Sequence, residues 1–98
     1  FGETIGLFVG KARFRFRVRF GEEIAAWITE VRWHEKQKLT RLPDGSLELE
    51  LPAGSLLEAR RFVLSFGKHA EVLAPEELVA DVREHVAELA RTYGVTSG

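Results

Sequence analysis

Cysteine and methionine are both missing from this 98-residue chain, and no apolar run is long enough to cross a membrane. Without cysteine there is no disulfide, no thiolate metal site and no thiol nucleophile, and a reducing cytoplasm is the expected compartment. With no long apolar run, neither a membrane span nor a signal peptide is expected. The lack of methionine, position 1 included, predicts that the chain is a piece of a longer polypeptide. An excess of either charge is missing too: 14 Lys and Arg stand against 15 Asp and Glu, a formal net charge of -1. That argues against a general coat for DNA, which works by neutralising many phosphates. The balance hides an asymmetry. Residues 1–41 carry nine Lys/Arg against five Glu (+4), and residues 42–98 carry five against ten acids (−5). A basic first half can meet an anionic partner or simply the acidic second half.

What is present is core material: 45% hydrophobic residues, including two Trp and seven Phe, enough for one domain. The most informative segment is Ala12–Phe20. Arg13, Arg15, Arg17 and Arg19 fall on one parity, Phe14, Phe16, Val18 and Phe20 on the other. A side-chain period of two predicts a strand with one apolar and one cationic face. Gly21-Glu22-Glu23 then opens a helix whose Ile24, Trp27, Ile28 and Val31 follow i, i+3, i+4, i+7 spacing. Gln37–Leu42 and Leu47–Leu51 flank Pro43-Asp44-Gly45-Ser46, turn chemistry that predicts a hairpin. Ser55 and Glu58 have capping-box spacing for a helix running to about Phe66, before Gly67. Ala70–Leu73 reads as a short strand. Pro75-Glu76-Glu77 opens a last helix, with Leu78, Val82, Val86, Leu89 and Tyr93 as its stripe and Gly94 as its stop.

This order, strand–helix–strand–strand–helix–strand with one helix more, predicts an α+β ferredoxin-like βαββαβ plait with an additional C-terminal helix. The first and third strands are then central neighbours. The phenylalanines face the helices, and the arginines lie on the open face beside Glu48 and Glu50. Same-face residues stand about 7 Å apart along a strand. Like charges at that separation repel by roughly 0.6 kcal/mol per pair in water, so the row folds without a bound anion. Three readings of Arg13, Arg15, Arg17 and Arg19 follow. Arg15 and Arg17 pair across the strands with Glu48 and Glu50, the row forms a platform whose guanidinium forks grip an anion or a nucleotide, or the face docks onto another domain or subunit. No aromatic residue shares their parity, unlike RNA-binding sheets that stack bases on exposed rings.

His34 and Gln37 follow Trp33 at the junction between helix and strand. They read as a structural corner bonding free carbonyls at the helix end, or as a polar contact for a ligand or a neighbouring domain; Lys38 is a lesser addition to the arginine surface. No catalytic constellation emerges: the serines sit in caps, turns and the tail, without an Asp–His pair to activate one. Gly10-Lys11 lacks the remainder of a phosphate loop, and Gly6 and Gly10 have GxxxG spacing outside any membrane span. Asp81 and His85, spaced i, i+4, are two metal ligands at most and read as an exposed ion pair. No enzyme, metal or cofactor is expected.

Trp33-His34-Glu35-Lys36-Gln37, then Pro43-Asp44-Gly45, Phe62-Val63-Leu64-Ser65-Phe66-Gly67 and Glu71-Val72-Leu73-Ala74-Pro75 together resemble the WCX domain, the C-terminal extension of bacterial WYL-domain transcriptional regulators. The resemblance covers residues 11–93. It departs at Glu35-Lys36, where the family has Pro-Ser or similar, and at Phe62, often Trp. Residues 1–10 resemble the closing segment of a WYL domain, leaving 11–94 as the domain and 95–98 as a disordered tail. The resemblance implies a ferredoxin-like fold and partners within one full-length protein: a WYL domain and a DNA-contacting helix-turn-helix domain. It also implies a homodimer, an anionic or nucleic-acid effector, and a role in effector response and oligomerisation rather than catalysis. The competing reading is a stand-alone nucleotide- or RNA-binding plait.

Overall fold

The computed structural model describes residues 12–95, so the segment assigned to a preceding domain, residues 1–10, lies outside the described residues. The predicted order of elements is the observed one. β1 (Phe14–Phe20) leads into α1 (Glu22–Glu30), β2 (Lys38–Arg41) and β3 (Leu47–Ala53). α2 (Leu56–Leu64), a single 3-10 turn, β4 (Ala70–Ala74) and α3 (Glu76–Thr92) follow. The strands form one antiparallel sheet in the order β2-β3-β1-β4, the arrangement of the ferredoxin-like plait, with α3 as the additional helix.

β1 behaves as its alternation dictates. Phe16, Val18 and Phe20 are fully buried, while Arg15 and Arg17 are exposed on the other face. The strand starts two residues later than the pattern suggested, so Arg13 precedes it, tied by its backbone N–H to the Ala53 carbonyl at 2.8 Å. Leu47, Leu49 and Leu51 of β3 point to the same core as the phenylalanines. Above them the rings interlock edge to face. Phe62 of α2 meets Phe16 at 5.9 Å, Phe20 at 6.4 Å, Trp33 at 5.6 Å and Phe66 at 5.1 Å between centroids. Such pairs add directional preference to the burial of large apolar area.

The Pro43–Ser46 turn forms as expected. Gly45 donates to the Leu42 carbonyl at 3.1 Å with φ +93°, a backbone region that glycine enters at least cost. At α2, Ser55 accepts from the Glu58 N–H at 3.2 Å, and the Glu58 carboxylate accepts from Gly54 at 3.0 Å, one residue earlier than in a standard capping box. α2 ends at Leu64, two residues short of the expected end, and Gly67 opens the 3-10 turn at φ +58°. Gly94 stops α3 with φ +71°. Its N–H bonds Arg91 and that of Val95 bonds Ala90, the paired bonds of a Schellman cap that tie Val95 to the helix; residues 96–98 of the expected tail lie outside the described residues.

Two apolar stripes fail to bury in full. In α1, Ala25 and Ile28 are buried, whereas Trp27 stays 51% exposed and flanks Trp33 at 5.4 Å and Phe66 at 6.3 Å. In α3, Leu78 and Val82 are buried, but Val86, Leu89 and Tyr93 are exposed. The reason is length. Seventeen helical residues extend about 26 Å, and the five-residue edge strand beneath them only about 17 Å. The outer turns of α3 therefore run past the sheet. Asp81, expected to pair with His85, instead takes Arg60 of α2 at 3.0 and 3.1 Å, pinning the inner half of α3.

Phe62→Ala is expected to cost about 3–5 kcal/mol of stability, because one side chain supports four rings. Tyr93→Ala, on the overhang, should stay within about 0.5 kcal/mol. Urea unfolding of both variants measures the contrast; similar losses would mean the outer turns of α3 are packed after all.

Candidate functional site

The open face of the sheet carries the arginine row, and the strand register decides what each arginine meets. Arg15 lies opposite Pro52, Arg17 opposite Glu50 and Arg19 opposite Glu48. Pro52 offers no side-chain acceptor, so Arg15 reaches diagonally to Glu50, with its Nε donating to a carboxylate oxygen. Arg17 moves along in step and donates to Glu48 at 3.4 Å. Arg19 then reaches past the strand to the hairpin tip, where its Nη2 donates to Asp44 at 2.6 Å and its Nε to the Ser46 hydroxyl at 3.2 Å. On the other side, Glu71 of β4 lies 3.9 Å from Arg19. Every guanidinium of β1 is displaced by one pleat toward the tip of the β2–β3 hairpin.

Asp44 therefore has two tasks. Its Oδ1 accepts from the Ser46 N–H at 3.0 Å and from the Ser46 hydroxyl, closing the turn. Its Oδ2 holds Arg19. The turn was legible as a turn, but its second carboxylate oxygen, facing a strand that is remote in sequence, was not.

At the other end of the row is the corner between α1 and β2. The buried Trp33 donates its indole N–H to the Ile28 carbonyl at 3.1 Å. Gln37 accepts, through Oε1, the backbone N–H groups of Trp33 at 2.7 Å and His34 at 3.2 Å. The expected roles are thus reversed: the tryptophan satisfies the helix-end carbonyl, and the glutamine serves backbone donors. The His34 Nδ1 accepts the Lys36 N–H at 3.0 Å. Arg15 joins this corner to the sheet by donating to the Lys36 carbonyl at 2.9 Å.

With that geometry in place, comparison with known proteins is informative. The WCX domain family model matches residues 12–90, most of the chain. The chain belongs to the WCX domain family. Two curated relatives, both named Protein PafC, come from Mycobacterium tuberculosis strains CDC 1551 / Oshkosh and ATCC 25618 / H37Rv. Each is 38% identical over 60 residues, 61% of this chain. The match spans only 18% of the length of either relative.

On this WCX domain the seven residues singled out from sequence divide into groups. Arg15, His34 and Gln37 build the corner, and Lys38, the first residue of β2, lies opposite Glu50. Arg17 occupies the middle of the face and Arg19 the hairpin end. Arg13 stands beyond the strand, with no ion pair to another described residue. The residues that sequence reading missed are Asp44, Ser46 and Glu71, all partners of Arg19. Together, Arg15, Arg17, Arg19 and Lys38 meet Asp44, Glu48, Glu50 and Glu71, four charges against four. The cationic face is a checkerboard. Among the described residues, no group of three or more His, Asp or Glu is placed to hold a metal ion, and no helix is long and apolar enough to cross a membrane.

The pairing shows in the acids. The Ser46 hydroxyl and N–H, and then the Arg19 charge, hold the Asp44 carboxyl below its ordinary value of 3.8. The hydrogen bond from Arg15 does the same for Glu50 against its ordinary 4.5, with Lys38 adding to the effect. A carboxyl whose folded pKa is depressed lends stability above its unfolded pKa and loses it as the pH falls through the folded one. The melting temperature of the WCX domain should therefore hold from pH 7 to about pH 4.5 and decline below it. Glu50→Gln and Asp44→Asn should each lower the neutral-pH melting temperature and flatten the acid decline. An acid slope unchanged in both variants would show that the ladder contributes nothing to folding.

Proposed function

We propose that this WCX domain is the C-terminal effector-response and oligomerisation module of a bacterial helix-turn-helix/WYL transcriptional regulator, and that it performs no catalysis. Its open sheet face then serves as the contact for a neighbouring domain. Residues 11–94 form the module, and DNA is met by the helix-turn-helix domain of the same full-length, cytoplasmic, homodimeric protein. Family membership supports the regulatory class.

One observation carries the choice of docking face over anion platform: the guanidiniums of Arg15, Arg17 and Arg19 already face carboxylates of their own chain. A phosphate would have to displace Glu50, Glu48 or Asp44 and leave each acid beside the incoming charge. A neighbouring domain has no such obstacle. A face of alternating sign accepts a complementary face with both charges satisfied, and mismatched charges reject wrong partners. Such a contact influences a regulator only as far as it differs between the regulator's two states.

A second reading has an observation of its own. Arg17 donates one bond, at 3.4 Å, out of five available N–H donors, and its side chain is 46% exposed. With Arg13 on the same parity and in no ion pair with another described residue, an anionic or nucleic-acid effector would find donors here.

The two readings separate on a titration of the chain with single-stranded oligonucleotide at about 50 and 200 mM salt, the range over which phosphate contacts weaken steeply. The docking reading expects no saturable binding. Salt-sensitive binding lost in Arg15→Ala/Arg17→Ala would replace it with the platform. In the full-length regulator, Arg15→Glu/Arg17→Glu should loosen the domain and raise the radius of gyration seen by X-ray scattering. A profile identical to the parent would remove the docking role.

A further inference from the structure

The overhang of α3 leaves a cleft that the open-face reading does not use. It lies on the helical side of the sheet, between the C-terminal end of α2, the start of β4 and the outer turns of α3, with a volume of about 770 Å³. That falls within the roughly 300–1,000 Å³ of sites for small organic ligands. Its walls are aliphatic: Val63 and Leu64 from α2, Val72 from β4, and Val82, Val86 and Ala90 from α3. Among the described residues no aromatic ring lines it, so they offer nothing for a flat base or ring to stack on.

The charges around this apolar trough favour one sign. Arg83 lines it and forms no ion pair with another described residue. Arg91, farther along the same helix, pairs with Glu88 on its own surface, at 3.7 Å. Among the described residues the one acid in the lining, Glu71, already faces Arg19. Two guanidiniums beside an aliphatic trough complement a molecule with an anionic head and a saturated tail. The tail would cover Val86, which the short edge strand leaves exposed, over the largely buried Val72 and Val82 at the floor, and carboxylate is the head that a guanidinium fork matches in shape.

We propose that the α2–β4–α3 cleft binds a small aliphatic carboxylate of the fatty-acid type, with its chain against Val72, Val82 and Val86 and its head group on Arg83. Val86 and Arg83 are exposed, so substitution there leaves the core intact. The test is an amide chemical-shift titration of the chain with decanoate below its micelle concentration. Saturable shifts should appear at Gly67, Ala70, Val72, Ala87 and Ala90. Arg83→Gln should weaken binding by about three- to fivefold, the size of one exposed ion pair, and Val86→Asp should abolish it. Decyltrimethylammonium, with the same tail and the opposite head charge, should bind several-fold more weakly than decanoate. The proposal is overturned by the absence of saturable shifts or by equal binding of the cationic analogue. It is equally overturned if these amides broaden with protein concentration in the absence of ligand, which would make a second copy of the chain the occupant.

Discussion

Phe20, at the end of β1, has the ring of Phe62 on one side and that of Phe66 on another, with centroids 6.4 and 5.0 Å away. Phe16 reaches Phe62 from two pleats back along the strand, and Trp33 reaches both Phe62 and Phe66 from the corner after α1. The sheet, α2 and the α1–β2 corner are thus fastened at one cluster of rings. Interiors packed at crystal-like density tolerate little slippage. A shift of β1 by one residue would turn every phenylalanine outward and every arginine into the core, at a cost no marginally stable domain of this size survives. Burial of the phenylalanines therefore sets the arginine positions to within a pleat, without any ligand.

The open face follows from that constraint. With β1 locked against β3, Arg15 faces Pro52, and the whole row of ion pairs is displaced toward the hairpin. The displacement ends where Asp44 completes the Pro43–Ser46 turn, so the turn is both the link between β2 and β3 and the last partner of the ladder. These pairs are largely exposed, and exposed pairs contribute little individually. In the docking role proposed for this face, their importance is for recognition. A face of fixed alternating charge costs little to hold in water, yet it discriminates strongly among surfaces brought against it, because each unmatched charge has to be desolvated without compensation.

How much of this could be read from the sequence depended on whether the deciding contact was local. The alternation in β1, the Pro-Asp-Gly turn and the Ser55 cap are written in consecutive residues, and the corresponding elements formed. Trp27 fits the helical stripe of α1 yet stays half exposed, lying against Trp33, six residues on, and Phe66, which follows α2 far along the chain. In α3 the stripe is correct in period but longer than its support, and only the length of β4 reveals that. Asp81 sat one helical turn from His85 and chose Arg60, a residue that no spacing rule connects to it. Gln37 was in the right corner with the wrong polarity, since an amide can accept as readily as it donates. The stripe of α3 and the choice of Asp81 share one cause, partners supplied by the tertiary fold, whereas the partners of Gln37 were local and only the direction of the bond was open.

The two surfaces of the domain share a border at β4, an edge strand of the sheet. Glu71 of β4 borders the aliphatic cleft and is also the outermost carboxylate of the ladder, 3.9 Å from Arg19. An anion placed beside Arg83 would bring a second negative charge to that edge. A docking surface that discriminates by its charge pattern is sensitive to a charge added at its border.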